Sequence, residues 1–190
     1  YRQLARTYMA PEEEVVPIED VVLIYTDEAF FEEYDKFPLR RTDLSTIIVR
    51  LKSMGAAVIG VDMLLDFNSA YGEDPSLVDA LVEAENVLMV STAEMVGEDF
   101  ISLNKAIPRI DDVTISGYSN ISSNSTVSEK IVRLRVYPEI NESIGEWPFS
   151  VRAVIALLGI EPDEVTLEDN VLSFAGELDV QLDQFNDLYI

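Results

Sequence analysis

The 190-residue chain contains no cysteine and no histidine. Without cysteine it can form neither a disulfide nor a thiolate metal site. Without histidine it lacks the usual general base, the commonest metal ligand and the middle member of a serine–histidine–aspartate triad. Any chemistry of its own would have to use carboxylates, hydroxyls, lysine or arginine.

Positive charge is also scarce. Lys and Arg number 13 against 36 Asp and Glu, which gives a formal net charge of −23. A field of this sign repels the phosphates of nucleic acids and the headgroups of anionic lipids. We therefore expect no nucleic-acid partner, and contact with a membrane only through flanking helices that are not in this sequence.

Long apolar runs are missing as well. The best candidate, Val151–Ile160, is about half as long as a membrane span of ~20 residues and contains Arg152. Hydrophobic residues still make up 48% of the chain, enough for a core. We expect residues 1–14 to be a helical stub and linker that follow a membrane helix, and residues 15–190 to form a single domain.

The most regular feature of the sequence is an alternation of apolar runs with helical stripes. Three runs suit strands that are covered on both faces, namely Val21–Tyr25, Ala57–Leu65 and Val87–Val90. Between them, apolar residues at helical spacing predict one helix that ends before Gly55 and one that begins at Pro75. This order predicts a three-layer α/β fold with a mostly parallel sheet begun by a βαβαβ unit.

The C-terminal half has a weaker pattern, which predicts mixed or antiparallel strands added to that sheet. We expect a short helix at Phe100–Ala106, a polar loop at Asn120–Ser128 and a helix from Trp147 to Leu158, closed by Gly159. The predicted strands are Val113–Tyr118, Ile131–Val136, Val165–Leu167, Val171–Phe174 and Leu178–Leu182.

Three polar residues fall near the ends of the first two predicted strands. Asp27 follows the first strand, Asp62 lies toward the end of the second, and Arg41 precedes the helix between them. Ligands of open α/β sheets favour this edge, so the three predict a site for a cation or a small polar molecule. The alternative is a structural Arg–carboxylate pair that fixes the crossover. Arg133, on a later strand, is a candidate for holding an anion or for pairing with the acidic surface.

The stretch from Val21 to Val90 resembles the second class of CHASE domains (cyclases/histidine kinases associated sensory extracellular). The resemblance rests on VVLIYTDEAFFE, FPLRR and LSTIIVRLKSMGAAVIGVDMLL, and further on GYSN, IVRLRV, PFS and LDQFNDLYI. Phe37 stands where the family has Trp, and Asn186 where it has a closing Gly. The residues at motif positions are Asp27, Pro38, Arg41, Gly55, Gly60, Asp62, Arg133, Ser150 and Asp183.

The resemblance implies a periplasmic or extracellular sensory domain of a bacterial membrane receptor, whose cytoplasmic output is typically a class III adenylate cyclase or a histidine kinase. The domain itself would be no enzyme and would need no cofactor, metal or catalytic residue. Its expected partners are a small-molecule or ionic ligand, held by Asp27, Arg41, Asp62 and Arg133, and a second receptor copy in a homodimer. Two alternatives stay open: a carboxylate-based divalent-metal enzyme using Asp27 and Asp62, and a purely structural or dimerising ectodomain.

Overall fold

The computed structural model describes residues 20–34, 37–96, 99–120, 122–123, 132–135, 146–184 and 187–189. The chain divides into two compact units, Tyr1–Pro38 and Leu39–Ile190. The described part of the first unit contains one helix, α1 (Glu28–Tyr34). A carboxylate oxygen of Asp27 accepts a hydrogen bond from the Phe30 amide at 2.8 Å, which caps this helix.

The second unit is an α/β structure with one mixed sheet and two antiparallel sheets, so the predicted α/β class is confirmed. Its helices are α2 (Arg41–Ser53), α3 (Asp74–Ala84), α4 (Pro108–Asp111) and α5 (Phe149–Leu158). Its strands are β1 (Ile59–Val61), β2 (Val87–Val96), β3 (Asp99–Asn104), β4 (Ile115–Tyr118), β5 (Ser122–Ser123), β6 (Val132–Arg135), β7 (Val165–Glu168), β8 (Val171–Phe174), β9 (Leu178–Gln181) and β10 (Asp187–Tyr189).

Strand β2 is the centre of the mixed sheet. Its first half pairs in parallel with β1 on one side and β4 on the other, with Met89 opposite both Val61 and Ser116. Its second half pairs antiparallel with β3, with Thr92 opposite Asn104. The first four residues of β2 are all apolar and at most 3% exposed, as expected for a strand covered on both faces.

Helical contacts occur on both faces of the mixed sheet. On one face, α2, α3 and α4 pack with β1 and β2 into a first apolar core that contains Ile48, Leu77 and Met89. On the other face, the ring of Phe149 in α5 lies over Gly60, and the Phe149 backbone lies over Gly117. Because neighbouring residues of a strand point to opposite faces, the helices on the two faces pack against different residues of the same strands.

Helix α5 also covers an antiparallel meander of strands, in the order β7-β8-β9. Together they enclose a second apolar core, whose members are Trp147, Val151, Ile155, Val165, Leu172, Phe174 and Leu182. The helix ends at Gly159, which adopts the left-handed conformation with φ of 66°. The predicted helix with its glycine stop and the three predicted strands that follow are confirmed.

The predicted strand at Val21–Tyr25 is wrong. These residues form neither helix nor strand, and their side chains are 58–82% exposed. A strand needs a hydrogen-bonded neighbour, and the described part of their own unit contains no second strand. The described mixed sheet therefore begins at β1, and Asp27 caps a helix instead of ending a sheet strand.

Two further predictions differ from the structure in the second unit. Phe100–Ala106, expected as a helix, lies largely in β3, because β2 extends to Val96 and offers it an antiparallel partner. The strand expected at Ala57–Leu65 is limited to the three residues of β1. Pairing with β2 extends only over those three residues, so the flanking apolar residues are loop.

Strands near Val113–Tyr118 and Ile131–Val136 are confirmed by β4 and β6. β6 lies between β10 and β5 in the second antiparallel sheet. The helical stub expected at residues 1–14 and most of the loop expected at Asn120–Ser128 lie outside the described residues. Among the residues that the structure does describe, no helix combines the length and the apolar character needed to cross a membrane.

Candidate functional site

The structure places the four candidate ligand-binding residues in different surroundings. Arg41 is the first residue of α2 and is buried, whereas Asp62 follows β1 and is exposed. Asp27 belongs to the first unit, where it caps α1. Arg133 lies in β6 opposite Ser122 and Tyr189. Within the described part of the chain, no hydrogen bond or ion pair joins Asp62 to Arg41.

Arg41 contacts the loop between β1 and α3 and the first residue of α3. Its Nε lies 3.1 Å from Oδ1 of Asp74, and both side chains are about as buried as core residues, at 6% and 4% exposure. Its Nη2 donates a hydrogen bond to the carbonyl oxygen of Phe67 at 2.7 Å. The second oxygen of Asp74 accepts the Ser69 amide at 2.9 Å. Arg41 therefore forms a buried Arg–carboxylate pair, and its partner is Asp74 and not a strand-end aspartate.

The neighbouring residues Arg40 and Glu73 form a second pair beside the first. The Nε and Nη2 of Arg40 both donate to one carboxylate oxygen of Glu73. The other oxygen of Glu73 accepts the backbone amide of Arg41 at 3.1 Å. Glu73 is buried and satisfies one of the free amides at the start of α2. The two pairs thus tie the beginnings of α2 and α3 together.

Two aromatic side chains extend the cluster toward solvent. The Arg40 guanidinium lies 4.8 Å from the ring centre of Tyr71, and the Arg41 guanidinium lies 5.2 Å from that of Phe67. Tyr71 and Phe67 remain 71% and 55% exposed. Arginine is attracted to aromatic faces, so these contacts hold the β1–α3 loop against the start of α2.

Spacing in the sequence did not reveal a third cluster, which centres on Glu146. This carboxylate is 2% exposed and lies between the mixed sheet and α5. One oxygen accepts two hydrogen bonds from Arg152, and the other accepts the hydroxyl of Ser116 and lies 3.1 Å from Nζ of Lys105. One glutamate among 36 acidic residues gives no local signal. Only the fold makes it distinctive.

Asn120 forms a clamp at the point where β2 changes partners. Its amide oxygen accepts the Ala93 amide at 2.6 Å, and its Nδ2 donates to the Ala93 carbonyl at 2.8 Å. Ala93 lies two residues beyond Ser91, the last β2 residue that pairs with β4. The side chain of Asn120 therefore continues the ladder of hydrogen bonds for one residue where strand β4 has ended.

Asn120→Ala should lower the free energy of unfolding by about 2 kcal/mol, because it leaves the Ala93 amide and carbonyl without these partners. For a chain of this size that is a fall in Tm of roughly 4–8 °C, measurable by calorimetry. Asn86→Ala is the matched control, since Asn86 donates one exposed hydrogen bond to Ala57. Equal losses for the two variants would contradict the clamp.

Two depressions lie on the described surface of the second unit. One, of about 420 Å³, is an open groove between α2 and α3 with Thr42, Ser45, Thr46, Ser76 and Ala80 in its walls. The other, of about 350 Å³, lies at the end of α5 and is lined in part by Ile115, Ile155 and Arg152. Among the described residues, no group of three or more carboxylates is placed to hold a metal ion.

A comparison with known protein families gives one match. The family described as "CHASE2 domain" matches residues 1–188, nearly the whole chain. Neither a curated protein nor a solved structure matches the chain significantly. The family match covers both units and the four candidate ligand-binding residues Asp27, Arg41, Asp62 and Arg133.

Proposed function

The chain belongs to the CHASE2 domain family, and from this premise we propose that it is the extracytoplasmic signal-input domain of a bacterial transmembrane receptor. CHASE2 domains are sensory extracellular domains of receptors. The match over residues 1–188 is the observation that carries the proposal. The receptor's cytoplasmic output is a class III adenylate cyclase or a histidine kinase, and the domain itself catalyses nothing.

Signal input requires that the domain favours different arrangements with and without its stimulus. A ligand or a change of assembly can shift that balance only by its difference in affinity for the two arrangements. The Arg41–Asp74 and Arg40–Glu73 pairs support this role because they join the starts of α2 and α3. The two helices then keep their relative position while other parts of the domain change. We place the stimulus, a small molecule or an ion, outside the membrane, with a homodimeric receptor transmitting it.

We also infer the finer architecture of the second unit. The βαβαβ unit predicted over Val21–Val90 lacks its first strand, and we infer in its place a βαβαβ unit of β1, α3, β2, α4 and β4, with the β3 hairpin strand inserted before α4. Packing of α2 and α3 on one face and of Phe149 on the other supports a three-layer arrangement.

The proposal is tested in the natural polypeptide that contains residues 1–190. An alkaline phosphatase reporter, which is active only outside the cytoplasm, is inserted after Ile190 and after a cytoplasmic position as control. We expect activity only at the first position, and cyclase or kinase output that changes when residues 20–190 are deleted. An alkaline phosphatase that is inactive after Ile190, or a natural polypeptide that contains no output domain, would overturn the proposal.

A second candidate is a structural ectodomain that dimerises the receptor without binding a ligand. The groove between α2 and α3 favours it, because that groove is open and small residues line it beside the charged Arg50, Asp79 and Glu83. Small-molecule sites usually enclose most of their ligand, whereas small side chains let another helix approach closely. Sedimentation of the purified chain separates the two: a concentration-dependent dimer together with a flat ligand screen supports the structural role.

A further inference from the structure

The described residues of the second unit form two apolar cores that have no residue in common. The first is built by α2, α3, α4, β1 and β2, and the second by α5 with the meander β7–β9 and the flanking Trp147 and Leu182. Proteins open locally in cooperative parts that coincide with such self-contained groups of elements. The contacts between the two cores therefore decide whether they open together or separately.

The polar side-chain contacts at this junction centre on one carboxylate. On the sheet side, Oε2 of Glu146 accepts the Ser116 hydroxyl at 2.7 Å and lies 3.1 Å from Nζ of Lys105. Nζ of Lys105 also donates to the Ser116 hydroxyl oxygen at 2.8 Å. On the α5 side, Oε1 of Glu146 accepts Nε and Nη2 of Arg152 at 3.0 and 2.9 Å, and the Trp147 amide at 3.3 Å.

Glu146 thus bonds to both sides at once. Ser116 lies in β4 and Lys105 lies between β3 and α4, whereas Arg152 lies in α5. The Glu146 side chain is 2% exposed, so water screens these charges poorly. If the carboxylate is lost, Arg152 and Lys105 keep their positive charges but lose the group that joins them, which is costly for partly buried cations. The junction then depends on the packing of Phe149 over the two strand glycines and on the backbone hydrogen bond from the Tyr118 amide to the Trp147 carbonyl at 3.2 Å.

We propose that α5 and the meander β7–β9 form a module that opens from the mixed sheet as one unit, and that Glu146 is the latch that holds it closed. This deepens the proposed function, on which its biological role rests, by naming the part of the input domain that moves. The physical claim concerns the purified chain alone, so its test needs no receptor.

Trp147 gives a direct probe of the latch. It is the only tryptophan of the chain, it is 7% exposed, and it lies in the second core next to Glu146. Glu146→Gln keeps the side-chain shape and a hydrogen-bond partner for Ser116 while it removes the charge. At low urea concentrations we expect Trp147 emission in the variant to shift to the red and to become accessible to acrylamide, while far-ultraviolet circular dichroism still reports a folded sheet.

Hydrogen exchange locates the opening. In Glu146→Gln, amides of α5 and β7–β9 should exchange roughly tenfold faster or more, with those of α3 and β2 unchanged. Lys52→Gln is the control, since it removes a charge from the exposed Lys52–Glu85 pair at 3.9 Å and should change neither signal. If Glu146→Gln does not fold, Lys105→Gln removes one sheet-side contact and should produce a smaller acceleration in the same amides.

Two results would overturn the latch: equal acceleration in α3, β2 and the module, which means a single cooperative unit, or no acceleration in the module with either variant. A receptor whose output does not respond to Glu146→Gln, although the module opens faster, would count against the proposed function and leave the latch intact.

Discussion

Arg41→Met is expected to lower the free energy of unfolding by about 3–5 kcal/mol, because it removes one partner of a buried ion pair. The carboxylate of Asp74 would remain buried without a cation, and the Phe67 carbonyl would lose its donor. For a chain of this length the loss corresponds to a fall in Tm of roughly 6–20 °C. Urea titration followed by circular dichroism measures it directly.

A double-mutant cycle separates the pair from general damage. Asp74→Asn removes the charge, but its side chain can still accept the Ser69 amide. The double variant Arg41→Met/Asp74→Asn should therefore lose about 1–3 kcal/mol less unfolding free energy than the two single variants lose in sum. Arg41→Lys should not restore stability, since an ammonium lacks the planar fork that serves Asp74 and Phe67 together.

Asp62→Asn, at an exposed position, should change stability by less than about 0.5 kcal/mol. A loss below about 1 kcal/mol for Arg41→Met would show that the pair does not hold α2 to α3.

Local patterns were sufficient to predict the elements that bury an apolar stripe. The stripe of Leu44, Ile48 and Leu51 predicted α2, and Pro75 marked the first turn of α3. They also suggested that Arg41 forms a structural pair with a carboxylate. They could not identify Asp74 as the partner, because only the tertiary fold brings together two residues that are 33 positions apart. The carboxylate of Asp74, the first residue of α3, accepts the Ser69 amide and pairs with Arg41.

The failures share one physical cause, which is that strands depend on partners elsewhere in the chain. Val21–Tyr25 has the composition of a buried strand and is nevertheless exposed and unpaired among the described residues. Phe100–Ala106 has a composition compatible with a helix, but the extension of β2 to Val96 pairs with it as β3. In both cases tertiary context overrides what the local sequence favours.

The residues at the junction of the two cores were missed for another reason. Glu146 and Arg152 are ordinary charged residues in a chain with 26% charged residues, and their types are common on any surface. Asn120 entered the prediction only as the first residue of a polar loop and the last of the GYSN segment, whereas its side-chain amide completes the hydrogen bonding of Ala93. Burial gives these side chains their roles, and burial follows from the fold and not from spacing.

Gly117→Ala tests how closely α5 approaches the sheet. A Cβ at this position would lie 2.7 Å from Cα and 3.0 Å from N of Phe149, and 3.2 Å from Cγ of Arg152. The first two atoms are backbone, so relief requires that the start of α5 moves away from β4. We expect a loss of about 3 kcal/mol, the upper end of what overpacking usually costs, although alanine is otherwise favoured over glycine in a strand.

Gly60→Ala is the matched control on β1. Its Cβ would meet only ring atoms of Phe149, at 3.0 and 3.2 Å, and a side chain can turn where a backbone cannot. We therefore expect Gly60→Ala to cost about 1 kcal/mol or less, and Gly117→Ala alone to expose Trp147 to acrylamide. Because the Tyr118 amide also donates a hydrogen bond to the Trp147 carbonyl at 3.2 Å, displacement of α5 at Gly117 must disturb that bond too. Equal stability of the two alanine variants would mean that Phe149 lies farther from Gly117 than the 2.7 Å between its Cα and the added Cβ implies. The attachment of α5 to β4 would then depend on the Glu146 contacts.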